Sequence, residues 1–506
     1  MIKPSLIVLA LASILEIGAA SSAERYDLVL RGGLLMDPES GLQAPRDLGV
    51  RDGKIAAISA ISLEGERVID ARGKVVAPGF IDVHSHGQNL LGGRVQAFDG
   101  VTTALESEIG QFPVKAAYDD AAASGRAIHY GYTVAWDLAR ASVLAGASPD
   151  GTLPGRAAAR EKAAQSLGRA ATVEERARIL KLLERGVDEG AVGIGFALGY
   201  VPGTTSEEAH DVSVLAAEKG ITVFVHMRSG ISDFAATEEV IANAATTGAH
   251  WHIMHVYWDS DEQISMLERA MRSGLPITPD TKGWLSSSTF LGAPFLSATA
   301  LKASGDSPND ILYYGRRIAS FEELEQLRAR DPGALIIALE ARDDTVDIHK
   351  REETARRLKA PGWVLASDTM PWTTPQSQLV PATSWPLPPT AWAHPRSAAT
   401  YSRVIEKYVR EWKLVSLMDV IRAGSLNPAR ELEQSVPQFR DKGRLRVGAD
   451  ADIIVFDPER VAAVATVEQP AALSTGMDYV LVGGTPLIEK GRLNTTVFPG
   501  KAIRRK

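Results

Sequence analysis

Short runs of apolar and β-branched residues alternate with amphipathic helical segments between about residues 79 and 436. The clearest helical segment is TVEERARILKLLERGVDEG, where a capping box of Thr172 and Glu175 precedes apolar residues at helical spacing. The β-rich runs are VVAPGFIDVH, VTTALE, AIHYGYTV, AVGIGF, ITVFVH, HWHIMHV, LPITPD and WVLASD. Alternating strands and helices predict βα units on a parallel sheet, and eight such units predict a TIM-type (β/α)8 barrel of the α/β class.

The pattern changes toward both ends of the chain. Stretches such as YDLVLRGGLLMDPESG, LGVRDGKIAAIS and GADADIIVFDP are short strands separated by Gly- and Asp-rich turns. Residues 24–78 are therefore predicted to form a small antiparallel sheet that pairs with residues 437–506 in one small β domain. The barrel then occupies residues 79–436, with an insertion at about 281–355 that is expected to cover the barrel mouth.

Residues 1–23 have the layout of a secretory signal peptide: a lysine, an apolar run and then small residues ending near Ala23. The apolar run is interrupted by Glu16 and is shorter than the roughly 20 residues that a membrane-spanning helix needs. We therefore expect cleavage and export to the periplasm or the medium, with no membrane association afterwards.

Composition narrows the choice of partners and of metal ligands. The 62 acidic and 55 basic residues are mixed throughout and give a net charge of −7, so no basic stripe is available for nucleic acid. The chain has no Cys, which excludes disulfides and thiolate metal sites. Any metal must therefore be bound by His and carboxylate side chains.

Side chains of that kind stand at the C-terminal ends of the predicted strands, which form the face where barrels build their active sites. They are His84 and His86 after the first strand, Glu106 and Glu108 on the second, His226 on the fifth, His255 on the sixth and Asp368 on the eighth. One histidine at a strand end is more often structural, but together these residues predict a metal centre. Glu108 is preferred over Glu106 as the ligand, since Glu106 lies one pleat deeper in the strand.

Several motifs together resemble the amidohydrolase superfamily, and most closely its N-acyl-D-amino-acid deacylase (D-aminoacylase) branch. They are GFIDVHSH, GVTT, GAVGIGFALGYVPG, VFVHMR, HIMH, LASD, HPRSAATYSRVIEKYVRE and GADADIIVFDP. The resemblance implies a TIM barrel with a small β-sandwich domain built from residues 24–78 and 437–506. It also implies a hydrolase of non-peptide (or dipeptide) amide bonds with one or two divalent ions, expected to be zinc. It also implies that Asp368 is the catalytic general base and that Tyr200 and Arg396 contact the substrate.

The chain departs from this branch at three positions. D-aminoacylases have a metal-bridging Cys near position 109, where this chain offers only Glu108 or Glu106. No Lys lies between Lys181 and Lys219, which excludes the lysine carbamate of hydantoinase-like members. Tyr257 stands where D-aminoacylases often have a lysine that holds the substrate carboxylate, so Arg396 is the cation expected to bind that group.

The function predicted from these residues is hydrolysis of N-acyl amino acids, possibly of D configuration, by an exported metal-dependent enzyme. A dipeptidase or cyclic-amide hydrolase on the same scaffold is the alternative within enzymes, and a non-catalytic binding protein is the alternative outside them. The Trp- and Pro-rich loop after Asp368, with Trp372, Trp385 and Trp392, either provides an apolar wall for a substrate or packs only against itself.

Overall fold

The computed structural model describes residues 25–228, 233–256, 261–339 and 348–505. The predicted signal peptide and Tyr257 lie outside the described residues. The central sheet has eight parallel strands whose spatial order follows the chain. These barrel strands are β6 (Phe80–Asp82), β7 (Val101–Gln111), β8 (His129–Ala135), β9 (Gly193–Phe196), β10 (Thr222–Val225), β11 (His250–Ile253), β12 (Ile277–Thr281) and β17 (Val364–Leu365).

A parallel bridge between Ser85 and Thr369 joins the segments that follow β6 and β17, so the first and last strands meet. Ser367 also donates from its backbone N–H to Asp82, over 3.1 Å. These contacts close the sheet and confirm the predicted (β/α)8 barrel.

Helices cover the outside of the barrel, and the side chains between the two layers form the largest apolar core. No helix within the described ranges is long and apolar enough to span a membrane. The α-helices are α1 (Leu90–Phe98), α2 (Val114–Ser124), α3 (Trp136–Leu144), α4 (Leu153–Ala163), α5 (Val173–Asp188), α6 (Ser206–Lys219), α7 (Asp233–Thr247), α8 (Asp261–Arg272), α9 (Ala298–Ser304), α10 (Phe321–Arg330), α11 (Ile348–Lys359), α12 (Tyr401–Arg403), α13 (Leu417–Ile421) and α14 (Asn427–Leu432).

Both ends of the described chain contribute to a second sheet of nine strands. Its strands are β1 (Arg25–Met36), β2 (Gln43–Arg51), β3 (Lys54–Ser59), β4 (Glu64–Asp70), β5 (Val75–Pro78), β18 (Ile453–Phe456), β19 (Met477–Val482), β20 (Thr485–Glu489) and β21 (Arg492–Leu493). The N-terminal part is not purely antiparallel as predicted, because β1 pairs in parallel with both β4 and β5. A long central strand that is paired along both edges accepts parallel neighbours at different points of its length.

The apolar run VVAPGFIDVH is two strands and not the single strand predicted from its pattern. β5 pairs with β18 in the terminal sheet, whereas β6 pairs with β7 in the barrel. The chain changes sheet at Gly79, whose N–H donates to the Asp452 carbonyl. A Cβ at this position would lie 2.3 Å from the Thr102 side chain, so only glycine fits the junction.

The segment between β12 and β17 forms a small four-stranded antiparallel sheet. Its strands are β13 (Ser287–Phe290), β14 (Ile311–Tyr313), β15 (Arg316–Arg317) and β16 (Leu335–Ala338). Residues of this segment share one cavity with the barrel strand ends, so it forms a wall above the C-terminal face of the barrel.

Candidate metal centre

The acidic and histidine side chains at the barrel strand ends meet in two overlapping groups that could hold a metal ion. One group is His84, Glu108 and His255, and the other is His84, His86 and Asp368. Within each group the ligand atoms lie within 4.8 Å of one another. The strand-end pattern predicted ligands from five strands, and residues of four of them form these groups; His226, from the remaining strand, is in neither group, but its Nδ1 lies 2.8 Å from Glu108 Oε1.

Glu108 lies between the histidines. Its Oε1 is 2.8 Å from His226 Nδ1 and 2.9 Å from His255 Nε2. Its Oε2 is 3.5 Å from His84 Nε2 and 3.3 Å from His86 Nε2. One carboxylate thus directs an oxygen toward each of the two histidine pairs.

The electrostatics of Glu108 agree with a ligand role. Burial raises the pKa of this carboxyl, but the adjacent His226 and His84 outweigh burial and hold the pKa well below its usual value. The acid therefore stays ionised, which is the form that binds a metal ion.

His84 provides the test of whether these residues fit a metal. Its Nε2 is buried and has no hydrogen-bond partner among the described residues. Carboxylate oxygens of Glu108 and Asp368 lie 3.5 and 3.4 Å from this nitrogen. A metal ion would satisfy a buried imidazole nitrogen that faces two carboxylates without bonding either of them, so the residues present fit the group.

The two glutamates of β7 reach different places because this strand is irregular. Its pairing with β8 runs regularly to Glu106 but resumes only at Gln111, so β7 has extra residues between these points. Gly110 lies in this bulge with a φ of +67°, and a Cβ there would approach the Thr133 carbonyl to 2.7 Å. A bulge of this kind redirects side chains next to a site, and here it separates Glu108 from Glu106.

Glu106 binds protein groups on both of its oxygens. Its Oε1 is 2.8 Å from His86 Nδ1, and its Oε2 accepts from Arg156 over 2.8 Å. Arg156 belongs to α4 and lies outside the strand-end pattern, so the sequence analysis missed it. Glu106 thus orients the His86 ring and leaves Nε2 of that ring facing the site.

Asp368 faces the ligands on one side and cations on the other. Its Oδ1 is 3.5 Å from His86 Nε2, while its Oδ2 is 2.7 Å from Arg396 Nη2 and 3.9 Å from Lys282 Nζ. Burial raises the pKa of this carboxyl, but Arg396 and His84 outweigh burial and lower it.

Asp368 and His255 both have positive φ, 56° and 42°, and backbone strain of this kind accumulates at functional sites.

A cavity of about 1140 Å³ opens in front of these ligands. The Tyr200 hydroxyl is 3.0 Å from Thr289 Oγ1, and the Tyr200 ring stacks on Phe290. Beyond the ligands, the wall is formed largely by apolar side chains, among them Phe290, Phe295, Leu296 and Leu301.

The structure places Arg396 and the tryptophans of the loop after Asp368 outside the lining of this cavity. Arg396 is buried, donates to the Asp368 carbonyl and carboxylate, and is not among the residues that line the cavity. Its guanidinium holds Asp368 and also donates to the Ser288 carbonyl, while its Nη1 is buried with no hydrogen-bond partner among the described residues, so a contact between Arg396 and a substrate stays a prediction. Trp372 and Trp392 are buried in an apolar cluster that also includes Leu91 of α1 and Leu312 and Leu335 of the four-stranded sheet, so the loop packs against its neighbours and not only against itself.

Asp280, at the end of the seventh strand, is the most informative residue that the sequence analysis missed. It is buried, and its Oδ2 is 3.2 Å from His84 Nδ1. A carboxylate at a barrel strand end was the available signal, the same one that indicated Asp368. His252, on the sixth strand, contacts Asp280 and Glu431 instead of the ligand groups.

The chain is similar in sequence to known hydrolases. Residues 67–303 match the amidohydrolase family. An N-acyl-D-glutamate deacylase of Alcaligenes xylosoxydans xylosoxydans is 28% identical over 95% of this chain and 97% of that protein. A D-aminoacylase of the same organism is 28% identical over 92% of this chain and 95% of its own length.

A solved structure extends the likeness to three dimensions. It is the N-acyl-D-glutamate deacylase of Bordetella bronchiseptica, complexed with zinc and a phosphonate inhibitor that mimics the tetrahedral intermediate. It has a TM-score of 0.72 and 26% identity, and the match covers 95% of this chain and all of that one. The barrel, the strand-end residues and these similarities agree with the resemblance of this chain to the amidohydrolase superfamily and to its D-aminoacylase branch.

Proposed function

We propose that this protein is a zinc-dependent hydrolase that cleaves the amide bond of N-acyl amino acids, including those of D configuration. The observation that carries the proposal is the position of Glu108 between the His84–His86 and His226–His255 pairs, at a cavity that Asp368 also lines. The relatives named above support the class of substrate.

The residues have separate roles in the proposed reaction. Zinc held by the histidines and Glu108 would activate water and polarise the amide carbonyl. Asp368 accepts the proton of the attacking water and then donates it to the departing nitrogen, because an amine leaves poorly unless it is protonated. Arg396 holds the Asp368 carboxylate in place through a contact of 2.7 Å.

The cavity favours an apolar group on the substrate. Tyr200 and Phe290 stack at 5.2 Å between ring centroids and line it together with Phe295. Two cations, Arg228 and Lys350, also line it, and the Arg228 guanidinium binds Glu239 and the Thr204 carbonyl. From the apolar side chains of the wall we propose substrates with an apolar side chain or acyl group.

A substrate panel tests the proposal directly. Zinc-loaded protein is incubated with N-acetyl D- and L-amino acids bearing apolar or acidic side chains, with dipeptides and with a hydantoin, and released amine or ring-opened product is measured. We expect turnover of N-acyl amino acids that is lost on chelation and restored by zinc. Turnover of dipeptides or the hydantoin alone would favour the alternative enzymes, and fully metallated protein without any turnover would favour a binding protein.

His255→Ala is expected to reduce bound zinc and activity together. His255 Nε2 belongs to one ligand group and is 2.9 Å from Glu108, so its removal leaves that group with two members. Metal content by mass spectrometry and hydrolysis rate are measured on the same sample. A variant that keeps its full zinc content and rate would remove His255 from the site.

Glu106→Gln is expected to keep bound zinc but to weaken the affinity of the protein for zinc by about 10- to 100-fold, as substitutions of residues that hydrogen-bond to metal ligands do. The reason is that Glu106 contacts His86 Nδ1 and Arg156 and not the ligand atoms themselves. Zinc affinity is measured by competition with a chromophoric chelator. Complete loss of metal in this variant would make Glu106 a ligand.

We also propose that the protein is exported to the periplasm or secreted, which rests on the signal-like layout of residues 1–23. Cell fractionation and N-terminal sequencing of the mature protein test this, with a new N-terminus near residue 24 as the expected result. Uncleaved protein confined to the cytoplasm would contradict it.

A further inference from the structure

A line of buried ionisable side chains crosses the barrel interior and ends at the candidate metal centre. It begins at Glu431 of α14, a helix whose Ala429 and Leu432 pack with residues of the barrel strands. Glu431 Oε1 is 2.8 Å from His252 Nδ1, and His252 Nε2 is 3.2 Å from Asp280 Oδ2. None of the three side chains is more than 2% exposed.

Asp280 contacts two metal-ligand residues in different ways. Its Oδ2 is 3.2 Å from His84 Nδ1. Its Oδ1 accepts from the His255 backbone N–H over 2.6 Å, at the residue whose φ of 42° turns the chain after β11. One carboxylate therefore orients the ring of His84 and holds the backbone that carries His255.

His252 allows Asp280 to orient His84 and to hold the backbone of His255. Both of its ring nitrogens face carboxylate oxygens, and only the doubly protonated ring can donate to both. The resulting positive charge compensates the buried Glu431 and Asp280 carboxylates, which would otherwise be costly to bury. Asp280 then remains an acceptor, and the proton on His84 Nδ1 leaves Nε2 of that ring free to face a metal.

We propose that Asp280, His252 and Glu431 are positioning residues that preorganise His84 and His255 for metal binding. The inference rests on the proposed metal centre, and it adds a layer of residues that extends from the ligands to α14. An ion network with only a structural role would stabilise the fold without contacting metal ligands. This network contacts His84, which belongs to both candidate ligand groups, and the backbone of His255, which belongs to one of them.

The test measures zinc affinity in full-length protein by competition with a chromophoric chelator, at a temperature where circular dichroism shows each variant to be folded. We expect Asp280→Asn and His252→Gln each to weaken zinc binding by about 10- to 100-fold. The matched control is His250→Gln, on the same strand, because His250 Nε2 contacts Thr278 Oγ1 and not this line. The control is expected to bind zinc as the unaltered protein does.

A second measurement is the coupling between two substitutions in their effect on zinc affinity, which a purely structural role would not produce. The Asp280→Asn/His252→Gln double variant is expected to weaken zinc binding by less than the product of the two single effects, because both act through His84 and His255. Should Asp280→Asn fail to fold, the isosteric Glu431→Gln, farthest from the ligands, is expected to weaken zinc binding in the same direction by a smaller factor.

Unchanged zinc affinity in folded His252→Gln and Glu431→Gln, or an equal loss in His250→Gln, would overturn the inference. The result is separate from the proposed reaction, since no substrate is used. If the unaltered protein binds zinc and the variants bind it weakly while no N-acyl amino acid is hydrolysed, the proposed function fails and the positioning role stands.

Discussion

Asp368→Asn is expected to lower kcat by about 10²- to 10⁴-fold, the range attributable to a positioned general acid–base group. The amide keeps the size of the carboxylate and one oxygen toward His84 and His86, but it cannot accept the proton of water. The fold and at least one bound zinc ion should remain, since the group of His84, Glu108 and His255 does not include Asp368.

The measurement combines kcat on the best N-acyl substrate, zinc content and the circular dichroism spectrum of the same preparation. Near-normal turnover would contradict the role of Asp368 in proton transfer. Loss of all zinc together with activity would make Asp368 an essential ligand and leave its proton transfer unsupported.

Glu108→Ala is expected to lose at least one metal ion and nearly all activity. Glu108 places one oxygen 2.8 Å from His226 Nδ1 and the other 3.3 Å from His86 Nε2, so its removal takes a carboxylate oxygen away from both histidine pairs. Zinc content and hydrolysis are compared with those of Glu106→Gln, the neighbouring acid on the same strand.

Glu108→Cys distinguishes loss of a ligand from loss of packing. A thiolate binds zinc well, so this variant is expected to retain more metal than Glu108→Ala does. If Glu106→Gln releases the metal and Glu108→Ala does not, the assignment of the two glutamates is reversed. If neither variant releases it, the pair is not part of the metal centre.

Periodicity alone predicted the barrel, because each βα unit has to bury one face of a helix against a strand, and both patterns are local. The same reasoning predicted that His84, His86, Glu108, His255 and Asp368 converge, since parallel strands end on one face. The junction between β5 and β6 was not predictable in this way. VVAPGFIDVH is apolar throughout, and its division between two sheets depends on partners that are distant in the sequence, β18 and β7.

The sequence by itself determined the fold class, the family and the strand ends at which ligands stand, because these follow from local patterns and motifs. Only the tertiary structure decided what each polar side chain contacts. The bulge before Gly110 separates Glu108 from Glu106, the burial of Arg396 turns it to Asp368, and Asp280 and His252 meet Glu431 across the barrel interior. Such contacts join residues far apart in the chain, where hydrogen-bond geometry and burial decide which partners meet.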